Sequence, residues 1–335
     1  MPSQLPFRQA LPLWALFAVL CFGLGYPTLN RYDPGKVPGT SDAAGFAGQV
    51  RAPIRVEYRA FVPWVARPFY LLANGHSGSW DPALLGLLVA NSLLMSGAAV
   101  GILAIGLRLG FAWPTCLIAV LLFLVDWVVP NLHLSGYVDS GELLCLVLLT
   151  WSLLSNRWYL LPLWSIPGSL SKETFAPFAF IFALTWWAQE RPLNWRRSVW
   201  IALAAALSCG TVVVATSTQG IGGALAFTGG MGVYQRVGFL HALLRNFAAR
   251  EFWYTFVWLL PLGLVHIRRI DRRWSWAVAA TSAAAALMGA YNDALGNTTR
   301  AFFNIAGPML CLSAASFLAG LQPAGPNMPA ETSEN

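Results

Sequence analysis

The stretch RYDPGKVPGTSDAAGFAGQVRAPIRVEYR holds eight charged side chains: Arg31, Asp33, Lys36, Asp42, Arg51, Arg55, Glu57 and Arg59. A carboxylate held in place takes a proton from a hydroxyl, and a guanidinium or ammonium group steadies a developing oxyanion or a phosphate. Further ionisable groups stand at the edges of apolar runs. Asp139 heads one run, Lys172 and Glu173 join two short ones, and Arg300 opens the last. The chain is 57% hydrophobic and 10% charged, and ionisable groups at membrane depth cost a few kcal/mol each. Concentrated on one face, they are by default a functional site.

The elements that must position these groups are helices crossing a bilayer. A 335-residue chain with 16 Trp, 20 Phe and so few charges does not cover a water-soluble globule. The net charge of +7 does not point to nucleic acid, because the basic residues form short clusters between apolar runs. Cys21, Cys116, Cys145, Cys209 and Cys311 all lie in apolar runs without CxxC spacing, which supports neither a disulfide framework nor zinc. With about 20 residues needed per crossing, spans are expected over Leu11–Pro27, Ala83–Leu107, Phe111–Pro130, Gly141–Leu154, Ser198–Ser217, Trp253–Ile267, Trp274–Tyr291 and Ala301–Leu321. Trp158–Trp187 is too long for one span and short for two, so it reads as a hairpin of two short helices. The expected fold class is therefore all-α: one polytopic transmembrane helical bundle over 1–321 with about ten membrane helices. Long loops follow at 28–82 and 218–250. The start reads as an uncleaved anchor, and 322–335 as a disordered cytoplasmic tail.

Arginines orient the bundle. Arg8, Arg108, Arg157, Arg191, Arg196, Arg197, Arg268, Arg269, Arg272 and Arg273 all fall on one side of a ten-helix count, and the positive-inside rule makes that side cytoplasmic, with both termini. Most acids fall on the other. Of 14 Asp and Glu, only Glu190, Asp271, Glu331 and Glu334 share the arginine side. The first outward loop is followed by AFVPWVARPFYLLA, too short and too broken by Pro63, Arg67 and Pro68 to cross. It suits an interfacial helix, with Trp64, Phe69 and Tyr70 at headgroup depth.

The loop's S-D-A-A-G-F-A, the following Y-R-A-F-V-P-W-V, Asp139 at the head of a span, the S-L-S-K-E-T turn and N-T-T-R-A-F-F-N-I-A-G-P resemble the GT-C superfamily of polytopic glycosyltransferases. Asp139 at the span head, the S-L-S-K-E-T turn and N-T-T-R-A-F-F-N-I-A-G-P are similar to features of bacterial members that use polyprenyl-phosphate sugars. The resemblance follows the order of elements from Leu11 to Leu321. It implies an inverting transfer on the outer face of a bacterial inner membrane, to a lipid, glycan or protein acceptor. A carboxylate of the first loop takes the acceptor's proton, and Asp42 matches that position best, with Asp33 second. Glu57, Arg59, Asp139, Lys172, Glu173 and Arg300 are the substrate-binding candidates. Two departures stand out: many members carry a soluble domain after the last span, and Gly45-Phe46 occupies the place of a Tyr-rich pair.

Simpler roles stand beside each of these. Asp42 is also placed to cap a helix, and Asp33 to form a turn before Pro34. Arg59 pairs with Glu57 in the simplest account, Lys172 with Glu173, and Arg300 snorkels. His76, His133 and His241 lack ligand spacing, so no metal site is expected, although an assisting divalent metal is left open. No other cofactor is called for: no G-x-G-x-x-G or P-loop opens a strand and helix. Asn297-Thr298-Thr299 matches a glycosylation sequon, and Gln219–Gly232 reads as either a mobile flap or a plain connection. Expected partners are a polyprenyl-phosphate sugar and membrane lipids. A transporter or lipid-linked-sugar flippase is the rival class, and it would place its charges along a midplane path.

Overall fold

The computed structural model describes residues 5–31, 40–76, 80–217, 238–292 and 297–321, and among them there is helix and no strand. In chain order the α-helices are α1 (Phe7–Arg31), α2 (Thr40–Arg51), α3 (Phe61–Ala73), α4 (Pro82–Arg108), α5 (Trp113–Val125), α6 (Asp139–Leu154), α7 (Leu161–Ser171) and α8 (Phe175–Ala188). They continue as α9 (Trp195–Ser217), α10 (Phe239–Ala248), α11 (Arg250–Val265), α12 (Arg272–Asn292) and α13 (Asn297–Gly320). Asp33, the glycine-rich stretch 219–232 and the tail 322–335 lie outside the described residues.

Each span expected from the sequence falls on a helix, but length divides them. Among the described residues, four segments are long and apolar enough to cross a membrane: Arg8–Pro27, Pro82–Arg108, Trp195–Ser217 and Thr298–Gly320. The apolar α5 and α8 have only 13 and 14 residues, against about 20 for an untilted crossing. Phe111–Pro130 is not one continuous helix. Asp126 Oδ1 accepts the Val128 amide at 3.0 Å, an Asx turn that ends α5, and a single wide π-helical turn follows at Val129–His133.

Burial separates centre from periphery. The apolar windows of α4 and α13 are 72% and 83% buried within the protein, those of α1 and α9 only 17% and 22%. Outward faces stay apolar, as at Leu16 and Val19 on α1, Val213 and Val214 on α9, and Trp253 and Val257 on α11. A water-facing helix would carry polar residues there, so these faces are built for hydrocarbon.

Helix direction gives the bundle two chemically distinct ends. At one, the arginines tie helices together: Arg108 Nε donates to the Leu154 carbonyl at 3.0 Å and Arg269 donates to Ser316 Oγ at 3.1 Å. The α7–α8 hairpin starts there and turns back at the opposite end, at 172–174. Gly168 makes that turn fit, because a Cβ on it would come within 2.6 Å of several Phe175 ring atoms. The opposite end is covered by α2 and α3. A Cβ on Gly86 would come to 2.8 Å of the Ala66 carbonyl oxygen, so α3 rests backbone-close on α4 only because Gly86 has no side chain. The buried face of α3 is Val62, Pro63 and Ala66, while Leu71 and Leu72 are exposed.

Candidate functional site

The site is assembled where the N-terminal ends of α6 and α13 meet the α7–α8 turn and the loop before α3. Asp139 opens α6, and its carboxylate receives two cations: Lys172 Nζ at 2.5 Å on Oδ1 and Arg300 Nη1 at 2.8 Å on Oδ2. Glu142, one turn along the same helix, lies 3.6 Å from Lys172 Nζ. Its oxygens accept Thr174 Oγ1 at 2.6 Å and Asn304 Nδ2 at 2.8 Å. Glu173 is gripped by Arg59 through two parallel bonds, Nε at 3.0 Å and Nη2 at 2.7 Å. Three cations and three carboxylates thus form one neighbourhood. Its side chains are almost closed from solvent: 2% exposed for Asp139, 5% for Lys172 and 11% for Arg300.

Local structure explains the aim of each group. Asn91 of α4 donates to the Tyr137 carbonyl at 2.8 Å and receives Ser140 Oγ, which pins the start of α6 against the centre of the bundle. The Tyr137 ring lies beneath the Arg300 guanidinium at 4.9 Å. Arg59 has φ of 59°, the left-handed region that costs a non-glycine residue of order 1 kcal/mol or more. Its bidentate pair with Glu173 and the bond from Gln49 Nε2 to the Tyr58 carbonyl at 3.0 Å hold the turn there. Burial opposes the charge on Arg59, and the Glu173 carboxylate outweighs it, so its pKa is raised.

Several simple pairings expected from the sequence are replaced. Arg59 pairs with Glu173 rather than its neighbour Glu57, which is half-buried in the loop before α3. Lys172 turns to Asp139 and Glu142 rather than to Glu173. Consecutive residues in an extended turn send their side chains apart, and each finds a different partner. Arg300 faces into the bundle instead of snorkelling outward. Asp42 lies inside the first turn of α2, not before it, and is exposed. Its neighbour Ala43 lies over Gly136, three residues before Asp139, so α2 borders the site without joining its bonds.

No family model, curated protein or solved structure significantly matches the chain. The functional argument therefore rests on the residues themselves.

The sequence had signals for the members it missed. Glu142 follows Asp139 by three residues and Asn304 follows Arg300 by four, the spacings that share one helix face. His133 is fully buried beside the cluster, its ring 5.9 Å from Phe303, and neither ring nitrogen has a partner. His76 and His241 are exposed, and among the described residues no group of three His, Cys, Asp or Glu gathers as metal ligands would. Thr298 and Thr299 of the sequon are 2% and 1% exposed.

Proposed function

We propose that this protein is an integral membrane glycosyltransferase that moves a sugar from a polyprenyl-phosphate donor to an acceptor hydroxyl at the outward face of the membrane. The observation that carries the proposal is the gathering of Arg59, Lys172 and Arg300 with Asp139, Glu142 and Glu173 at one end of an apolar bundle. Burying six charges costs several kcal/mol per ion before pairing returns it, and an apolar replacement of such a network is often neutral or stabilising. Stability alone therefore gives little reason to keep it. A leaving lipid phosphate gives one, because its growing negative charge is met by guanidinium and ammonium donors already held in place.

In the proposed step the acceptor oxygen attacks the anomeric carbon from the face opposite the phosphate. The carbon–oxygen bond to phosphate breaks with its electron pair, and the configuration inverts. The hydroxyl proton passes to the Asp42 carboxylate, which is exposed on the helix whose Ala43 lies over Gly136 and is open to a water-soluble acceptor. Arg59, Lys172 and Arg300 exchange part of their pairing with Glu173, Asp139 and Glu142 for the phosphate oxygens. Gathering at one end, rather than along a path through the bundle, favours this reaction over transport.

The same proposal fixes topology: ten membrane-embedded helices, the short α7–α8 hairpin among them, with α3 lying at the outer interface and both termini on the arginine-rich, cytoplasmic side. Reporter fusions at Arg108, Arg157, Arg196 and Arg272 are expected to report cytoplasm, and those at Gly48 and Gly136 the outside. A cytoplasmic signal at Gly48 overturns the outward-face assignment. For the activity, lipid extracts of cells lacking the protein are expected to accumulate a polyprenyl-phosphate sugar, with loss of one envelope glycan. Unchanged lipid-linked sugars and glycans count against the transferase.

A further inference from the structure

The opposite end of the bundle carries a second charged site that the transfer step leaves unused. Helix α8 runs the 14 residues from the hairpin turn to Ala188, so the two sites are separated by roughly 20 Å at 1.5 Å per residue. There the segment joining α8 to α9 and the start of α12 enclose an open cavity of about 590 Å³. Arg191, Arg196, Arg197 and Arg273 line it against a single carboxylate, Glu190. We propose that this cleft binds the phosphate of an anionic membrane lipid.

The arginines are held in place. Glu190 accepts a bond from Arg197, whose guanidinium also lies over the Trp158 ring at 5.2 Å. Asp271 holds Arg273 through Nε at 3.2 Å and Nη2 at 2.9 Å, and the Trp186 ring lies 5.4 Å from it. Arg191 Nη1 donates to the Ala188 and Glu190 carbonyls, both at 3.1 Å. A guanidinium has five donors, so each of these three keeps donors beyond those bonds. Asn194 Oδ1 caps the Arg196 amide at 3.1 Å as α9 begins, and the helix dipole adds partial positive charge there. The lining carries a net three positive charges, and a fixed array of forked donors matches phosphate oxygens better than it matches a carboxylate or halide.

The surroundings select a lipid over a soluble phosphate. Trp195 is 69% exposed at the rim, as a tryptophan at a headgroup boundary is. Along α9, Val199, Leu203 and Val213 are also exposed, so an apolar strip runs away from the cleft along one of the least buried helices of the bundle. A headgroup seated among the arginines has its acyl chains laid on that strip.

The test uses the full chain in nanodiscs of phosphatidylcholine doped with phosphatidylglycerol, with the phosphatidylglycerol retained after detergent extraction read by native mass spectrometry. The wild type is expected to retain it. Each guanidinium near an anionic surface accounts for roughly a five-fold effect, so Arg196→Gln alone is expected to lose about five-fold and Arg191→Gln with Arg196→Gln about 25-fold. Both side chains are exposed and neither carries an ion pair to a buried carboxylate, so the variants keep the fold. Arg268→Gln with Arg272→Gln removes equal charge from the same end outside the cleft, and is expected to leave retention unchanged. The proposal is overturned if that control pair loses as much lipid, or if inorganic phosphate displaces the lipid from the wild type.

Discussion

Replacing Asp139 by alanine is expected to destabilise the protein by about 3–5 kcal/mol, the cost of breaking a buried ion pair by removing one of its members. The size follows from its place: one carboxylate, 2% exposed, holds both Lys172 and Arg300, and its loss takes the shorter of the Lys172 pairings and the Arg300 ion pair from a site almost closed to water, with Glu142 still beside Lys172. A typical domain has only 5–15 kcal/mol to lose, so the variant is expected to show a sharply lower yield of monodisperse protein and a lowered thermal midpoint. Asp139→Asn with Arg300→Gln removes one charge of each sign and is expected to recover much of that loss. A midpoint for Asp139→Ala equal to wild type refutes the network as drawn, and so does a double variant no better than the single one.

Asp42→Asn is expected to behave in the opposite way, losing about 10²–10⁴-fold in sugar transfer while the protein inserts and melts normally. Asp42 is exposed in the first turn of α2, where its charge interacts with the helix N-terminus for about 0.3–1 kcal/mol. The amide keeps the size of the side chain and cannot take the hydroxyl proton. Transfer from a polyprenyl-phosphate sugar in isolated membranes measures it, with thermal unfolding alongside. Wild-type transfer by Asp42→Asn together with loss in Asp33→Asn moves the base to Asp33. Wild-type transfer by both removes the first loop from the chemistry. Because Asp139 and Asp42 are predicted to separate stability from activity, the two experiments fail independently.

Much of the architecture was legible in the chain. Apolar runs bounded by arginine clusters locate helices because hydrocarbon requires every backbone group to be bonded within its own segment, and helix is the local way to do so. The hairpin within Trp158–Trp187 followed from the same counting: too many apolar residues for one crossing, too few for two. The placing of Asp139, Lys172, Glu173 and Arg300 toward the same end was also legible, since helices of alternating direction bring alternate loops to one side; that they meet was not, and the structure brings them together.

What the sequence did not contain is which charge meets which. Neighbours along the chain were the natural partners for Arg59 and Lys172, yet Arg59 reaches 114 residues to Glu173, and Arg300 reaches 161 residues back to Asp139. Those pairings depend on the packing of α6 against α7 and of α13 near both. That packing depends in turn on close approaches such as Phe175 on Gly168 and α3 on Gly86, which no local pattern encodes. Composition and periodicity determined a helical membrane protein with its charges sorted to two ends, because transfer of side chains from water to lipid acts residue by residue. Only the tertiary structure decided the salt-bridge network and the arginine cleft, because electrostatic pairing is settled by distances of a few ångströms between helices remote in sequence.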